Sequence, residues 1–210
     1  VIKAISFDLD DTLTNEDFDK FIWWVAIHNI YATQKGIKFE EAIEKVHKEY
    51  ASMPEKGEWY SVDYWIKHFE LDADWKSLML KYKQFIILYH DVKEVFSILK
   101  KKYKLILITN ASRDRIEVKL EVLGLNDSFD HTFSATTDFV RSKAGANVFA
   151  KVAKILALKP EEILHVGDHQ DFDYEKPKSI GMNAILLDRS GKKTGPDIIH
   201  NLNELPGKIK

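Results

Sequence analysis

The sequence predicts an α/β fold, a parallel sheet with crossover helices that carries a separate helical unit inserted after its first strand. Three observations carry this. From about residue 91 onward short apolar runs alternate with helical stretches, the pattern of a parallel sheet. Residues from about 15 to 90 instead place apolar side chains at helical spacing and show no strong strand alternation. The first apolar run ends in Asp8-Leu9-Asp10-Asp11-Thr12, at the carboxyl edge where open sheets of this kind bind ligands.

The first strand spans residues 5–9. Residues two apart on a strand share a face, so Asp8 and Asp10 stand roughly 7 Å apart at Cα and aim together, while Asp11 points elsewhere. Two ionised carboxylates that close repel, and a bound divalent cation removes the conflict. A plainer reading is that Asp10, Asp11 and Thr14 end the strand and cap the next helix, since Thr14-Asn15-Glu16-Asp17 fits the capping-box pattern. Beyond it Phe18, Phe21, Ile22 and Val25, then Ala42, Val46 and Tyr50, keep helical spacing. Breaks at Lys35-Gly36, at Met53-Pro54-Glu55-Lys56-Gly57 and at Leu71-Asp72-Ala73-Asp74 divide the region into roughly four helices. All five tryptophans, Trp23, Trp24, Trp59, Trp65 and Trp75, fall here, mostly as core of a small helical unit, with one or two available to line a pocket.

Strands at 105–109, 132–135, 163–166 and 184–187 follow, separated by helices at 115–123, 147–156 and 175–180. With the N-terminal strand this makes five, and residues 196–210 form an added short element. The expected division is a core of residues 1–14 and 91–210 with an insertion of residues 15–90.

Composition narrows the function. A chain of 210 residues with 45% apolar content fills a sizeable core. Its 31 basic and 33 acidic residues, net charge -2, offer no field for nucleic acid or an anionic membrane, so the partner is a small molecule. No cysteine is present, which excludes disulfides, thiol nucleophiles and Cys-ligated zinc. No apolar run spans a bilayer, and a cytoplasmic enzyme is the default.

The residues just after each strand are biased towards chemistry: Asp8 and Asp10, then Thr109-Asn110-Ala111-Ser112, then Thr136-Thr137-Asp138 with Lys143 beyond, then Gly167-Asp168-His169. A phosphate ester carries up to two negative charges, so such an acidic site holds it only with a cation and positive donors. Mg2+ suits the role, binding through one or two carboxylates with water and substrate phosphate. Asp8, Asp168 and a main-chain oxygen near Asp10 provide that shell, with Asp173 orienting it from behind. Lys143, Thr109 and Asn110 supply donors to the phosphoryl oxygens, although a lysine read in isolation is more often solvated.

These motifs, Asp8-Leu9-Asp10-Asp11-Thr12, Thr109-Asn110, Lys143, and Gly167-Asp168 with Asp173, resemble in order and placement the four motifs of the haloacid dehalogenase superfamily. The insertion resembles the helical cap of the subgroup that includes phosphoglycolate phosphatase and beta-phosphoglucomutase. The resemblance implies a Rossmann-like core with strand order 5-4-1-2-3 and an Mg2+-dependent phosphatase acting on a small-molecule phosphomonoester. It makes Asp8 the nucleophile, which forms an aspartyl-phosphate, and Asp10 the general acid and base. Thr12 would help hold Asp10, Thr109, Asn110 and Lys143 would bind substrate, and Asp8, Asp10 and Asp168 would form the metal site.

Dehalogenases and phosphonate hydrolases of this superfamily lack the second aspartate, so Asp10 argues against both. Mutases tend to carry valine where Thr12 stands, which favours a phosphatase over a mutase. Departures are Ala144 after the lysine, Tyr89-His90-Asp91 where the core resumes, and His169, read as a loop residue bonding its neighbours. His165 reads as structural or exposed. A non-catalytic binding protein would be expected to have lost Asp8 or Asp10. The substrate class stays open among nucleotide, sugar and small acid phosphates, and exposed cap aromatics offer a homodimer surface.

Overall fold

A computed structural model of the chain describes residues 1–53 and 57–209. Its sheet is built from β1 (Ala4–Phe7), β2 (Lys104–Thr109), β3 (His131–Ser134), β4 (Ile163–Gly167), β5 (Asn183–Leu187) and β6 (Ile198–Ile199). The order is β3-β2-β1-β4-β5-β6 and every pairing is parallel, which contains the expected 5-4-1-2-3 read from the other edge. β1 lies at the centre, with Phe7 opposite Leu107 on one side and Val166 on the other. The acidic segment that follows β1 is therefore flanked by the ends of β2 and β4.

Both faces of the sheet are covered, and the period of two explains how. Ile5, Phe7, Leu105, Leu107, Leu164 and Val166 point to one core cluster, while Ala4, Ile106, Ile108 and Ile163 point to the other. The first face packs on α6 (Val92–Leu99) and α7 (Arg113–Leu123), and the second on α9 (Asn147–Ile155), which follows the short α8 (Ala135–Asp138) after β3. The short element expected at 196–210 supplies a sixth strand, and residues 196–209 are integrated into the core. Ile199, Leu202 and Leu205 are fully buried in the first cluster, so this segment and α11 (Leu205–Lys208) complete the sheet and its covering layer.

Between β1 and β2 run α1 (Asp17–Phe21), a π-helical turn (Ile22–Ala26), α2 (Ile27–Lys35), α3 (Phe39–Ser52), α4 (Val62–His68) and α5 (Trp75–Lys81). They pack on a cluster of their own, centred on Phe18, Val46, Trp65 and Met79, which takes Val118 from α7 and has Val122 and Leu123 of the same helix packed against it. Gly36 ends α2 in the left-handed conformation (φ 65°), the break expected at Lys35-Gly36. Asp74 caps α5 by accepting from the Ser77 amide. Of the Met53–Gly57 break, residues 54–56 lie outside the described residues.

Two local expectations fail. Helix α1 is preceded by Glu16 with no side-chain cap, and Thr14 instead donates its hydroxyl to the Leu9 carbonyl. Thr14 is occupied because it bridges to Leu88, where the chain enters and leaves the insertion side by side: Asn15 donates to Ile87 and Tyr89 to Leu13. The helix expected at 175–180 is also shorter, a π-helical turn (Gln170–Glu175) leading into α10 (Lys176–Ser179).

Candidate active site

Asp8 and Asp10 both line the pocket at the end of β1, with Leu9 between them turned into the core. The β1 ladder stops at Phe7, and although the Asp8 amide still donates to Val166, the chain turns at Leu9, whose carbonyl accepts from both Leu13 and Thr14. Asp11 sits beyond the turn in the left-handed region (φ 57°), held by a hydrogen bond of 2.8 Å from the Tyr89 hydroxyl. Within the shared pocket each carboxylate meets its own cations.

Asp8 faces Lys143. This lysine is 2% exposed, far from a solvated surface position; its ammonium donates to Asp8 Oδ1 and Asp173 Oδ1, each at 2.6 Å. The loop that carries it is fixed by Asn110, whose Oδ1 accepts from the Lys143 amide at 2.8 Å. Thr109 is buried beside them, with its hydroxyl oxygen accepting from the Ala111 amide. Carboxylate oxygens of Asp8, Asp168 and Asp173 lie within 4.8 Å of one another. With Lys143 as their only ammonium contact among the described residues, the cluster is formally two charges negative, which is the deficit a divalent cation fills. Asp8 Oδ2 and Asp168 Oδ2 have no hydrogen-bond partner among the described residues, whereas Asp173 spends both oxygens on Lys143, His165 and the His169 amide. The donor set therefore fits Mg2+, with Asp173 engaged as an anchor.

Burial pushes Asp8 up to about 8, with repulsion from Asp173, Asp168 and Asp10 adding to it and Lys143 opposing. Asp168 rises to about 6 through burial and the nearby Asp173. Asp10 goes the other way: burial opposes its charge, but Lys119 and Arg115 prevail and hold it at about 2. Asp10 Oδ2 accepts from Arg115 at 2.8 Å and Oδ1 from Lys119, and the same two cations bind both oxygens of Asp19 on α1. Sequence reading missed Arg115, Lys119 and Asp19. The available signal was two basic residues four apart on α7, directly after Thr109-Asn110, with Ile116 and Leu120 marking that helix as half-buried.

Other placements follow from these. Thr12 donates to Asp168 Oδ1 at 3.0 Å, and so supports Asp168 rather than Asp10 as expected. His165 is fully buried and bridges Ser6 and Asp173, a structural role that reaches the site. His169 accepts from the Phe172 amide and stacks on that ring at 4.0 Å. Trp23 and Trp24 line the pocket of about 370 Å³ above Asp8, while Trp65 is wholly buried. Arg189 lies over the Tyr89 ring, chelates Asp91 and donates twice to the Thr12 carbonyl, which ties β5 to the acidic loop.

Gly167 is required by packing. A Cβ there would stand 2.6 Å from the Asp173 Cβ and Oδ2, with no room to move in a buried site. Gly167→Ala is expected to displace Asp173, release Lys143 and lower turnover by roughly 10²-fold, measured by steady-state kinetics alongside circular dichroism.

The shifted groups also set a pH signature. In the metal-free protein Asp8, at about 8 against an ordinary 3.8, keeps a proton that the unfolded chain has lost, so stability falls as pH rises towards 8. Asp168, at about 6, adds to the fall at lower pH. Burial holds His28 down at about 4 and also lowers His165, and both act in the opposite sense below their ordinary 6.5. Between pH 6.5 and 8 Asp8 is the shifted group that titrates. Tm without metal is expected to decline across that window, and millimolar Mg2+ to flatten the decline; a Tm that rises there without metal would contradict the assignment.

Comparison with known proteins agrees with this geometry. The family model for haloacid dehalogenase-like hydrolases matches residues 2–181. The glyceraldehyde 3-phosphate phosphatase of Methanocaldococcus jannaschii is 30% identical, covering 100% of this chain and 98% of that protein. The GMP/IMP nucleotidase YrfG of Escherichia coli is 28% identical over 80% of this chain and 75% of its own length. Among solved structures, a HAD phosphatase from Thermococcus onnurineus superposes with a TM-score of 0.85 at 26% identity, covering 98% of this chain and 97% of that one. Among the described residues no helix is long and apolar enough to cross a membrane. A central parallel sheet, the acidic cluster at its carboxyl edge and the family match along most of the chain make this protein a member of the haloacid dehalogenase-like hydrolases, and within them a phosphatase.

Proposed function

We propose that the chain hydrolyses a small-molecule phosphomonoester through a phosphoenzyme on Asp8, in the pocket between the core (residues 1–14 and 91–210) and residues 15–90 acting as a cap. The observation that carries the reading is the cluster of Asp8, Asp168 and Asp173 around one buried ammonium, with Asp10 two residues from Asp8. Asp8, Asp168 and a main-chain oxygen near Asp10 would hold Mg2+, which when bound supplies the charge that keeps Asp8 ionised and offsets the substrate phosphate.

Asp8 Oδ2, free of protein partners, attacks phosphorus, and the ester P–O bond breaks as Asp10, which Lys119 and Arg115 hold ionised before substrate binds, passes to the leaving oxygen a proton taken from the bound phosphomonoester monoanion. Asp10 then takes a proton from the water that attacks the phosphoaspartate, and the bond from phosphorus to Asp8 breaks, restoring the carboxylate. Lys143 and the donors at Thr109 and Asn110 hold the phosphoryl oxygens in line. Thr12 and Asp173 keep Asp168 and Lys143 in place. Both named relatives act on small phosphomonoesters, which supports that substrate class. A cysteine-free chain suits the reducing cytoplasm.

The test is phosphate release from a panel of nucleotide, sugar and triose phosphates by pure protein with Mg2+, with and without a chelator. Chelator-sensitive release supports the reading. No release from any class would overturn it, and an isomerised sugar phosphate without free phosphate would redirect it to a mutase.

A further inference from the structure

Arg115 and Lys119 lie one turn apart on α7 and are both almost fully buried. Neither contacts the cluster around Asp8 and Lys143. With Asp10 and Asp19 they form a closed ring in which carboxylates and cations alternate, each cation touching both acids. The ring is formally neutral, unlike the neighbouring Asp8 cluster.

Two buried cations ringed by two partly exposed carboxylates are an expensive way to pack a helix, and apolar side chains of similar volume would often hold it as well. What the charges add is a defined position for each partner. The partners come from different places: Asp10 from the acidic loop, Arg115 and Lys119 from the helix after Thr109-Asn110, and Asp19 from the inserted unit. That same inserted stretch lays Phe18 under the Lys119 ammonium at 5.4 Å and Trp23 near the Arg115 guanidinium at 6.0 Å. The ring closes only with these residues seated on α7. If Asp19 were withdrawn, two buried cations would face one carboxylate, and Asp10 would be drawn to satisfy both.

We propose that Arg115 and Lys119 are positioning residues that place Asp10 for proton transfer at the leaving oxygen, and that Asp19 makes this placement depend on the inserted helices being seated. This rests on the assignment of Asp10 as proton donor, the proton arriving on the bound phosphomonoester because the ring keeps Asp10 ionised before substrate binds. The residues touch neither substrate nor reacting atoms; they act through Asp10.

The experiment compares kcat/KM, which reports events up to leaving-group departure, for an alkyl phosphate and for p-nitrophenyl phosphate, whose leaving group departs without a proton. Asp10→Asn is the reference, with Lys119→Met, Lys119→Arg and Asp19→Asn as test variants. Lys119→Met and Asp19→Asn are expected to lower the alkyl value roughly 10- to 100-fold, to change the aryl value less than about 3-fold, and Lys119→Arg to recover most of the loss. The near-isosteric Asp19→Asn keeps the test valid if Lys119→Met does not fold. Equal losses on both substrates would mean a merely structural ring and overturn the proposal. If Asp10→Asn discriminates between the substrates and the ring variants do not, the proposal fails while the proton-donor reading stands; if Asp10→Asn itself does not discriminate, both fall.

Discussion

Asp8→Asn is expected to lower phosphate release by roughly 10³-fold or more while leaving the metal-free fold as stable as the parent or more so. The two halves have one cause. Asp8 is buried among Asp168, Asp173 and Asp10, so its carboxyl is raised to about 8, and a neutral amide of the same shape removes a charge that the site resists. Its oxygen still accepts from Lys143, which keeps Asp173 as its charged partner. The amide cannot form the acyl phosphate, and it weakens the site's hold on a divalent cation. Phosphate release and Tm, each with and without Mg2+, check the pairing. A variant that loses Tm along with activity would show that Asp8 is held for structure.

Lys143→Met should do the reverse to stability. Removing the one ammonium leaves three carboxylates within 4.8 Å of one another, two of them nearly inaccessible. Breaking a buried pair from one side costs about 3–5 kcal/mol, and protonation of the orphaned acids recovers part of that. The loss measured by urea unfolding should therefore be smaller at pH 5 than at pH 8, and Mg2+ should restore stability at the higher pH. Turnover should be lost as well, since the phosphoryl oxygens lose a charged donor. A Lys143→Met protein as stable as the parent at pH 8 would show that the acids are neutralised by other means.

Much of the architecture was legible because period-two apolar strands and the turn residues between them are local signals. The five strands expected near 5, 105, 132, 163 and 184 all occur within a residue or two of their predicted bounds. The sixth was not, since Ile198–Ile199 is too short for alternation to show, and its burial depends on contacts with residues far away in sequence. Lys143 shows the same limit from the other side. By residue type it belongs on the surface, and only the ordered acids around it argued otherwise. The Asp10 partners were out of reach because a charged residue on a half-buried helix looks the same whether it faces water or a buried acid. Thr14 was misread for a related reason: a capping box is a local pattern, and the pairing with Leu88 that displaced it joins residues more than seventy positions apart.

That pairing bears on how the chain reaches its fold. β1 and β2 are neighbours in the sheet, yet Phe7 and Lys104 are separated by the whole inserted segment, a long-range contact that slows folding when the intervening chain is loose. The inserted helices gather on their own cluster, and the chain leaves them beside the point where it entered, with Asn15 bonded to Ile87 and Tyr89 to Leu13. Once those helices have condensed, the loop that must close between the two central strands shrinks to the few residues on either side of this ribbon, and most of its entropy has already been lost. The expected order of events is helices first and sheet second, so substitutions in the Phe18–Trp65 cluster should slow formation of a sheet they never touch, as stopped-flow refolding would show.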